Sequence, residues 1–172
     1  MSSRFTARYE ADADSVFRFC FLRVSDRELA LDITQETFGR FWRSLSGGED
    51  IANERAFLFT VAHRLVIDWY RRKKAARLED LTGADGEPYD PPDEKTLDSL
   101  GLEAEGRFLA DAISKIDGSN RHAVYLRFIE GLSPPEIGEV LGISTGAASV
   151  RVSRGLAELK KITGYDDIDE HE

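Results

Sequence analysis

The chain has 172 residues, of which 41% are hydrophobic and 10% aromatic, and its 32 acidic against 23 basic side chains leave a net charge of −9. That length suits one ordinary domain or two small ones; no run approaches the roughly 18 to 20 apolar residues of a membrane helix, and the start, Met1-Ser2-Ser3-Arg4-Phe5, lacks the apolar stretch of a secretory signal, so a soluble, cytoplasmic chain is expected. A lone Cys20 and three scattered histidines, His63, His122 and His171, exclude an internal disulfide and a zinc cluster, and no cofactor is called for.

The overall acidity would argue against nucleic acid as a partner if it were evenly spread, because affinity for DNA rests on neutralising phosphates. It is uneven. Residues 1–78 carry +3, 79–106 carry −9, 107–160 carry +1 and 161–172 carry −4. The expected organisation is all-α: a helical domain over 1–78, a flexible acidic linker over 79–106, a second helical domain over 107–161 and an acidic tail over 162–172.

In the first domain, Val16, Phe17, Phe19, Cys20 and Phe21 recur at helical spacing between Asp14 and Arg23, and Ser25-Asp26 can cap a second helix. The second helix is expected over about 27–45, with Leu29, Ile33, Phe41 and Leu45 inward and Phe38 and Trp42 beside them. Ser46-Gly47-Gly48 ends it. A third helix follows over about 54–77, with a stripe of Leu58, Val61, Ala62, Leu65 and Trp69. Asp32, Gln35 and Glu36 share one side of the second helix, which on spacing alone suits a solvated face as well as a docking face. On the third helix Arg64, Arg71, Arg72, Lys73, Lys74 and Arg77 are interleaved with Trp69 and Tyr70. A basic helix carrying aromatic rings suits a nucleic-acid backbone with unpaired bases to stack on.

The segment from Glu79 to Gly106 combines ten acidic residues with Gly83, Gly86, Pro88, Pro91, Pro92 and Gly101, and reads as extended and self-repelling. Beyond it, amphipathic stretches over 108–116 and 121–129 precede Ser133-Pro134-Pro135-Glu136, which has the form of a capping box with proline at the first helical position. A short helix through Ile137, Val140 and Leu141 then meets the turn Gly142-Ile143-Ser144, and a longer helix to about Lys160 follows. Two helices joined by a short glycine turn form a helix-turn-helix, whose second helix enters the major groove. That geometry turns Thr145, Ser149, Val150, Arg151, Ser153 and Arg154 toward DNA.

These features together resemble an extracytoplasmic-function (ECF) sigma factor of the sigma-70 family. The resemblance rests on Asp32-Ile33-Thr34-Gln35-Glu36-Thr37-Phe38 and Ile67-Asp68-Trp69-Tyr70-Arg71-Arg72 in the first domain. In the second it rests on Arg127-Phe128-Ile129-Glu130-Gly131-Leu132-Ser133, Leu141-Gly142-Ile143-Ser144 and Arg151-Val152-Ser153-Arg154. It implies a non-enzymatic subunit that binds the clamp and flap regions of core RNA polymerase, recognises promoter DNA and opens its strands, is held by an anti-sigma factor, and is a monomer when free. It implies docking on the clamp by Asp32, Gln35, Glu36 and Phe38, and capture of the melted minus-ten strand by Asn53, Arg64, Trp69, Arg71, Arg72 and Lys73, with the loop 47–53 as pocket for an extruded base. The six groove-facing residues from Thr145 to Arg154 would bind the minus-thirty-five duplex. The chain departs from the family where His63-Arg64 replaces the usual Arg-Asn, and where Gly146-Ala147-Ala148-Ser149 lacks the usual Thr and Lys of the recognition helix. The competing reading is a helix-turn-helix regulator that acts without polymerase.

Overall fold

A computed structural model describes residues 2–76 and 94–165. The chain divides into two compact units, Met1–Pro91 and Pro92–Glu172. Arg77, most of the expected linker and the end of the tail lie outside the described residues. All regular structure among the described residues is helical.

The first unit is built from α1 (Ser2–Val24), α2 (Arg27–Ser46) and α3 (Glu54–Ala76), each packed on the other two. Ser25 takes left-handed backbone (φ 53°) to turn the chain, and the Asp26 carboxylate accepts from the Leu29 amide at 3.0 Å, capping α2. Val16, Phe19, Cys20, Ala30, Phe41, Leu58, Phe59, Ala62 and Val66 fill the core with at most 1% exposure. The Cys20 thiol is pushed up to about 12 by burial, which makes it an inert core residue.

α1 begins at Ser2, a dozen residues before the expected Asp14. Its first half adds Phe5 and Tyr9, which join Phe38, Phe41 and Trp42 in a cluster of rings with centroids 4.8–6.2 Å apart. Pairs at such separations contribute about 0.5–1.5 kcal/mol each beyond their buried area. The same half places Asp12, 1% exposed, where Arg8 and Arg55 donate to its two oxygens, while Glu54 accepts from Arg4 and Arg8.

The second unit comprises α4 (Glu94–Ser99), α5 (Ala104–Ser114), α6 (Gly118–Phe128), α7 (Pro134–Leu141) and α8 (Thr145–Thr163). The expected extended linker is corrected at its C-terminal end: residues 94–99 and 104–106 are helical. Leu97, 5% exposed, anchors α4 on α5, and Arg107 pairs with Asp98. Two apolar and basic anchors outweigh the acidic composition of that stretch.

α7 starts as its residues dictate. Pro134 and Pro135 occupy positions where no amide donor is needed, and the Glu136 carboxylate accepts from the Ser133 amide at 2.6 Å. Gly142 adopts φ 68°, the left-handed cap that ends α7, and Ser144 starts α8 by accepting from the Ala147 amide at 3.1 Å. The close approach of α8 to α6 depends on Gly155, where a Cβ would lie 2.2 Å from Val124 Cγ2. One turn further on, Glu158 accepts from the Asp117 amide at 2.8 Å and from Asn120 Nδ2 at 2.7 Å, fastening α8 to the start of α6.

Candidate nucleic-acid and polymerase interfaces

Three faces carry the residues singled out above. On α2, Asp32 and Gln35 are exposed, whereas Glu36 is held by its own helix: Arg40 Nε and Arg43 Nη2 donate to its Oε1 at 2.8 and 2.9 Å. The hydrogen bond from Arg40 comes first among the causes that lower the Glu36 pKa below the ordinary carboxylate range. These pairs are solvent-exposed, so they break readily in favour of a partner's cation. Phe38 does not join this face. It is 2% exposed, packed edge-on to Phe5 and Tyr9, and the expectation that it docks on a partner is replaced by a core role.

The loop 47–53 leads into α3. Its glycines and Glu49, Asp50 and Ala52 are exposed, while the Arg4 guanidinium reaches the Ile51 carbonyl at 3.4 Å and ties the loop to α1. Asn53 caps α3, its Oδ1 accepting from the Ala56 amide at 2.9 Å. Along α3, Arg64, Arg71, Arg72 and Lys74 are exposed and Trp69 and Lys73 half-buried. The Lys73 ammonium sits 4.8 Å from the centre of the Trp69 ring, so a base that stacks on that face must displace it. Tyr70, grouped by the sequence with the stacking rings, is instead buried, and its hydroxyl donates to the Arg23 carbonyl.

The departure at His63 has a structural reason that the sequence concealed. Arg23 of α1 is 2% exposed, its guanidinium lies over the Phe19 ring at 5.2 Å, and its Nη1 donates to His63 Nδ1 at 2.6 Å. The histidine is thus the acceptor, neutral with its proton on Nε2. Burial, then the charges of Arg23 and Arg64, push its pKa down to about 3. Because the folded value lies below the unfolded value of about 6.5, its neutral form stabilises the unit above pH 6.5 and that stability is lost as pH falls toward 3. Between pH 7 and 5 the α1–α3 unit should lose about 2 kcal/mol through this group. The check is denaturant unfolding at both pH values: His63→Gln should flatten the dependence, and an unchanged slope would show that the imidazole is not the titrating group.

On α8 the buried line is Ala148, Gly155 and Leu159. Thr145, Val150, Ser153 and Arg154 are exposed, and Ser149 and Arg151 half-buried; Val150, Ser153 and Arg154 lie about the middle of the face opposite the buried line, with Thr145 and Ser149 on one flank of it and Arg151 on the other. Their hydrogen-bonding inventory is limited to hydroxyls and two guanidiniums. No group of carboxylate, imidazole or thiol side chains suited to a metal occurs among the described residues, and no helix there is long and apolar enough to cross a membrane.

Comparison with known proteins agrees with this geometry. Residues 8–76 match the family model for sigma-70 region 2, and residues 109–159 match that for sigma-70 region 4. The ECF RNA polymerase sigma factor SigX of Bacillus subtilis is 28% identical over 163 residues, covering 94% of this chain and 84% of that protein. BldN of Streptomyces coelicolor, also an ECF sigma factor, is 32% identical over 165 residues, 92% of this chain and 60% of its own. Among solved structures, the sigma factor RpoE of Bartonella quintana, crystallised with the anti-sigma factor NepR, shares the fold at a TM-score of 0.68 and 21% identity, covering 95% of this chain and 98% of that one. CnrH, in complex with the cytosolic domain of CnrY, superposes at a TM-score of 0.59 and 25% identity, covering 96% and 88%. Matches to two regions of one family, in sequence and over most of the chain, make this protein a member of the sigma-70 family: an ECF sigma factor, a promoter-recognition subunit of bacterial RNA polymerase and not an enzyme.

Proposed function

We propose that the two units divide the work of initiation between them. Asp32, Gln35 and Glu36 on α2 dock on basic side chains of the polymerase clamp, the loop 47–53 and the exposed cations of α3 hold the melted minus-ten strand, and α8 lies in the minus-thirty-five groove, with the flap as the second unit's polymerase contact. The observation that carries this reading is chemical contrast within one small unit: the middle of α2 exposes Asp32 and Gln35, its later cations Arg40 and Arg43 being paired with Glu36, while α3 exposes Arg64, Arg71, Arg72 and Lys74. A duplex-binding regulator has use for the cations but none for the acid. Each strand phosphate neutralised by α3 releases condensed counterions, so strand capture should weaken steeply with salt.

The protein acts in the cytoplasm, as a monomer when free, and its regulatory partner is an anti-sigma factor, the kind of partner with which RpoE of Bartonella quintana was crystallised. The acidic linker serves as a tether between two mildly basic units.

Run-off transcription with core polymerase tests the assignment. Asp32→Lys with Gln35→Lys is expected to lower core binding at least about tenfold while leaving the isolated protein's duplex binding intact; both residues are exposed, so the fold survives. Unchanged core binding and run-off transcription by the double variant would remove Asp32 and Gln35 from the polymerase contact.

A further inference from the structure

We propose that Val150 reads the 5-methyl group of a thymine in the minus-thirty-five element, a specificity contact that rests on the groove-binding role assigned to α8. Val150 is 46% exposed, the most exposed large aliphatic side chain among the described residues of the second unit. Helical geometry of 100° per residue puts it about 200° from the fully buried Ala148, at the middle of the outward face of α8. Its neighbours on that face one turn away are Gly146, Ser153 and Arg154, all exposed. An isopropyl group there adds nothing to the core, and it has no hydrogen bond to offer a base.

The major groove presents donors, acceptors and one apolar group, the thymine methyl, so an apolar side chain at the centre of a groove-facing surface discriminates by that methyl or not at all. The surroundings make the approach possible. Gly146 has no side chain to hold the helix away from the base edges, and nothing would meet even a Cβ there within 4 Å. Arg154, one turn along, and Arg151 beside it supply phosphate contacts or bidentate pairing to guanine, and the hydroxyls of Thr145, Ser149 and Ser153 pair with either kind of base. With so few hydrogen-bonding groups on α8, methyl contact carries a larger share of the discrimination than it would on a helix bearing Asn or Gln.

The test uses the full chain assembled with core polymerase from its own host and a promoter duplex selected from a random pool. Each thymine of the minus-thirty-five element is replaced singly by deoxyuridine, which removes the methyl and leaves base pairing intact. One or two positions should lose about three- to fivefold in affinity. Val150→Ala should lose a similar factor on the thymine duplex and bind thymine and deoxyuridine duplexes equally, since an exposed helix position tolerates alanine. Neutrality of every deoxyuridine substitution, or a Val150→Ala protein that retains the thymine preference, overturns the proposal. Failure of the underlying groove assignment is separate: scrambling the whole element would then leave affinity unchanged, whereas failure of the methyl contact alone leaves scrambling costly and single deoxyuridines neutral.

Discussion

Asp12→Ala is expected to destabilise the α1–α3 unit by about 3 kcal/mol, because it removes the buried acceptor shared by two guanidiniums. Arg8 Nη1 donates to one carboxylate oxygen at 2.8 Å and Arg55 to the other, and the carboxylate itself is 2% exposed. The hydrogen bond to Asp12 is the largest cause that raises the Arg8 pKa. Breaking a buried pair costs about 3–5 kcal/mol; Arg8 and Arg55 keep about a third of their side-chain surface in water and can turn outward, which places the loss at the lower end. For a unit of this size that is a fall in melting temperature of roughly 12 °C or more. Asp12→Asn keeps the shape and one acceptor and should lose less.

The consequence reaches the loop 47–53, proposed above to hold the minus-ten strand. Arg55 and Glu54 belong to the first turn of α3, immediately after Asn53, and Arg4 and Arg8 hold Glu54 from α1. Loosening Asp12 therefore frees the helix start that fixes the loop 47–53. Strand opening should fall further than core docking, since Asp32 and Gln35 on α2 are untouched. Calorimetry of the variant and permanganate footprinting of the open complex measure the two effects; a melting point within a few degrees of the parent protein would remove the buried pair from the account.

This network also shows where the sequence was legible and where it was not. The helix-turn-helix could be read residue by residue because its determinants are local: prolines at the first positions of α7, Glu136 reaching back to Ser133, Gly142 at positive φ, and Ser144 as the next cap. The first half of α1 was hidden for the opposite reason. Arg4, Arg8, Glu10, Asp12 and Asp14 give it the composition of a solvated lead-in, and a buried carboxylate is indistinguishable in sequence from an exposed one. Phe5, Tyr9, Asp12 and Val16 at spacings of four, three and four were the available signal. That half-helix decides the position of Phe38, because Phe5 and Tyr9 are the rings that cover it. Without them Phe38 reads as an exposed neighbour of Glu36. The burial of Tyr70 is hidden from the sequence for the same reason, since its hydroxyl bond to the Arg23 carbonyl is a tertiary contact over 47 positions. The helical end of the linker was obscured by averaging: ten acids over 28 residues outvoted Leu97 and the Asp98–Arg107 pair.

The second unit has a comparable weak point at Gly155, and its failure should be confined to the α4–α8 helices. A Cβ there would lie 2.2 Å from Val124 Cγ2 and 3.2 Å from the Asn120 carbonyl oxygen. Val124 is fully buried and β-branched, so its methyl cannot swing aside without entering occupied space. Alanine gains about 1 kcal/mol of helix propensity over glycine, against an overpacking cost of about 1–3 kcal/mol, so Gly155→Ala should be mildly destabilising. Gly155→Val adds two more methyls and a poorer helix former at the same crossing. It should cost more than about 3 kcal/mol, enough to unfold a unit of this size, because pushing α8 off α6 also breaks the bonds of Glu158 to Asp117 and Asn120. Amide resonances of α1–α3 should persist while those of α5–α8 collapse, and minus-thirty-five recognition should vanish with them. Val124→Ala supplies the control, since it vacates the volume the new side chain needs: combined with Gly155→Ala it should recover stability that neither single variant has, a favourable coupling of about 1 kcal/mol. Strictly additive losses would mean that the two helices are not held at contact distance by this glycine.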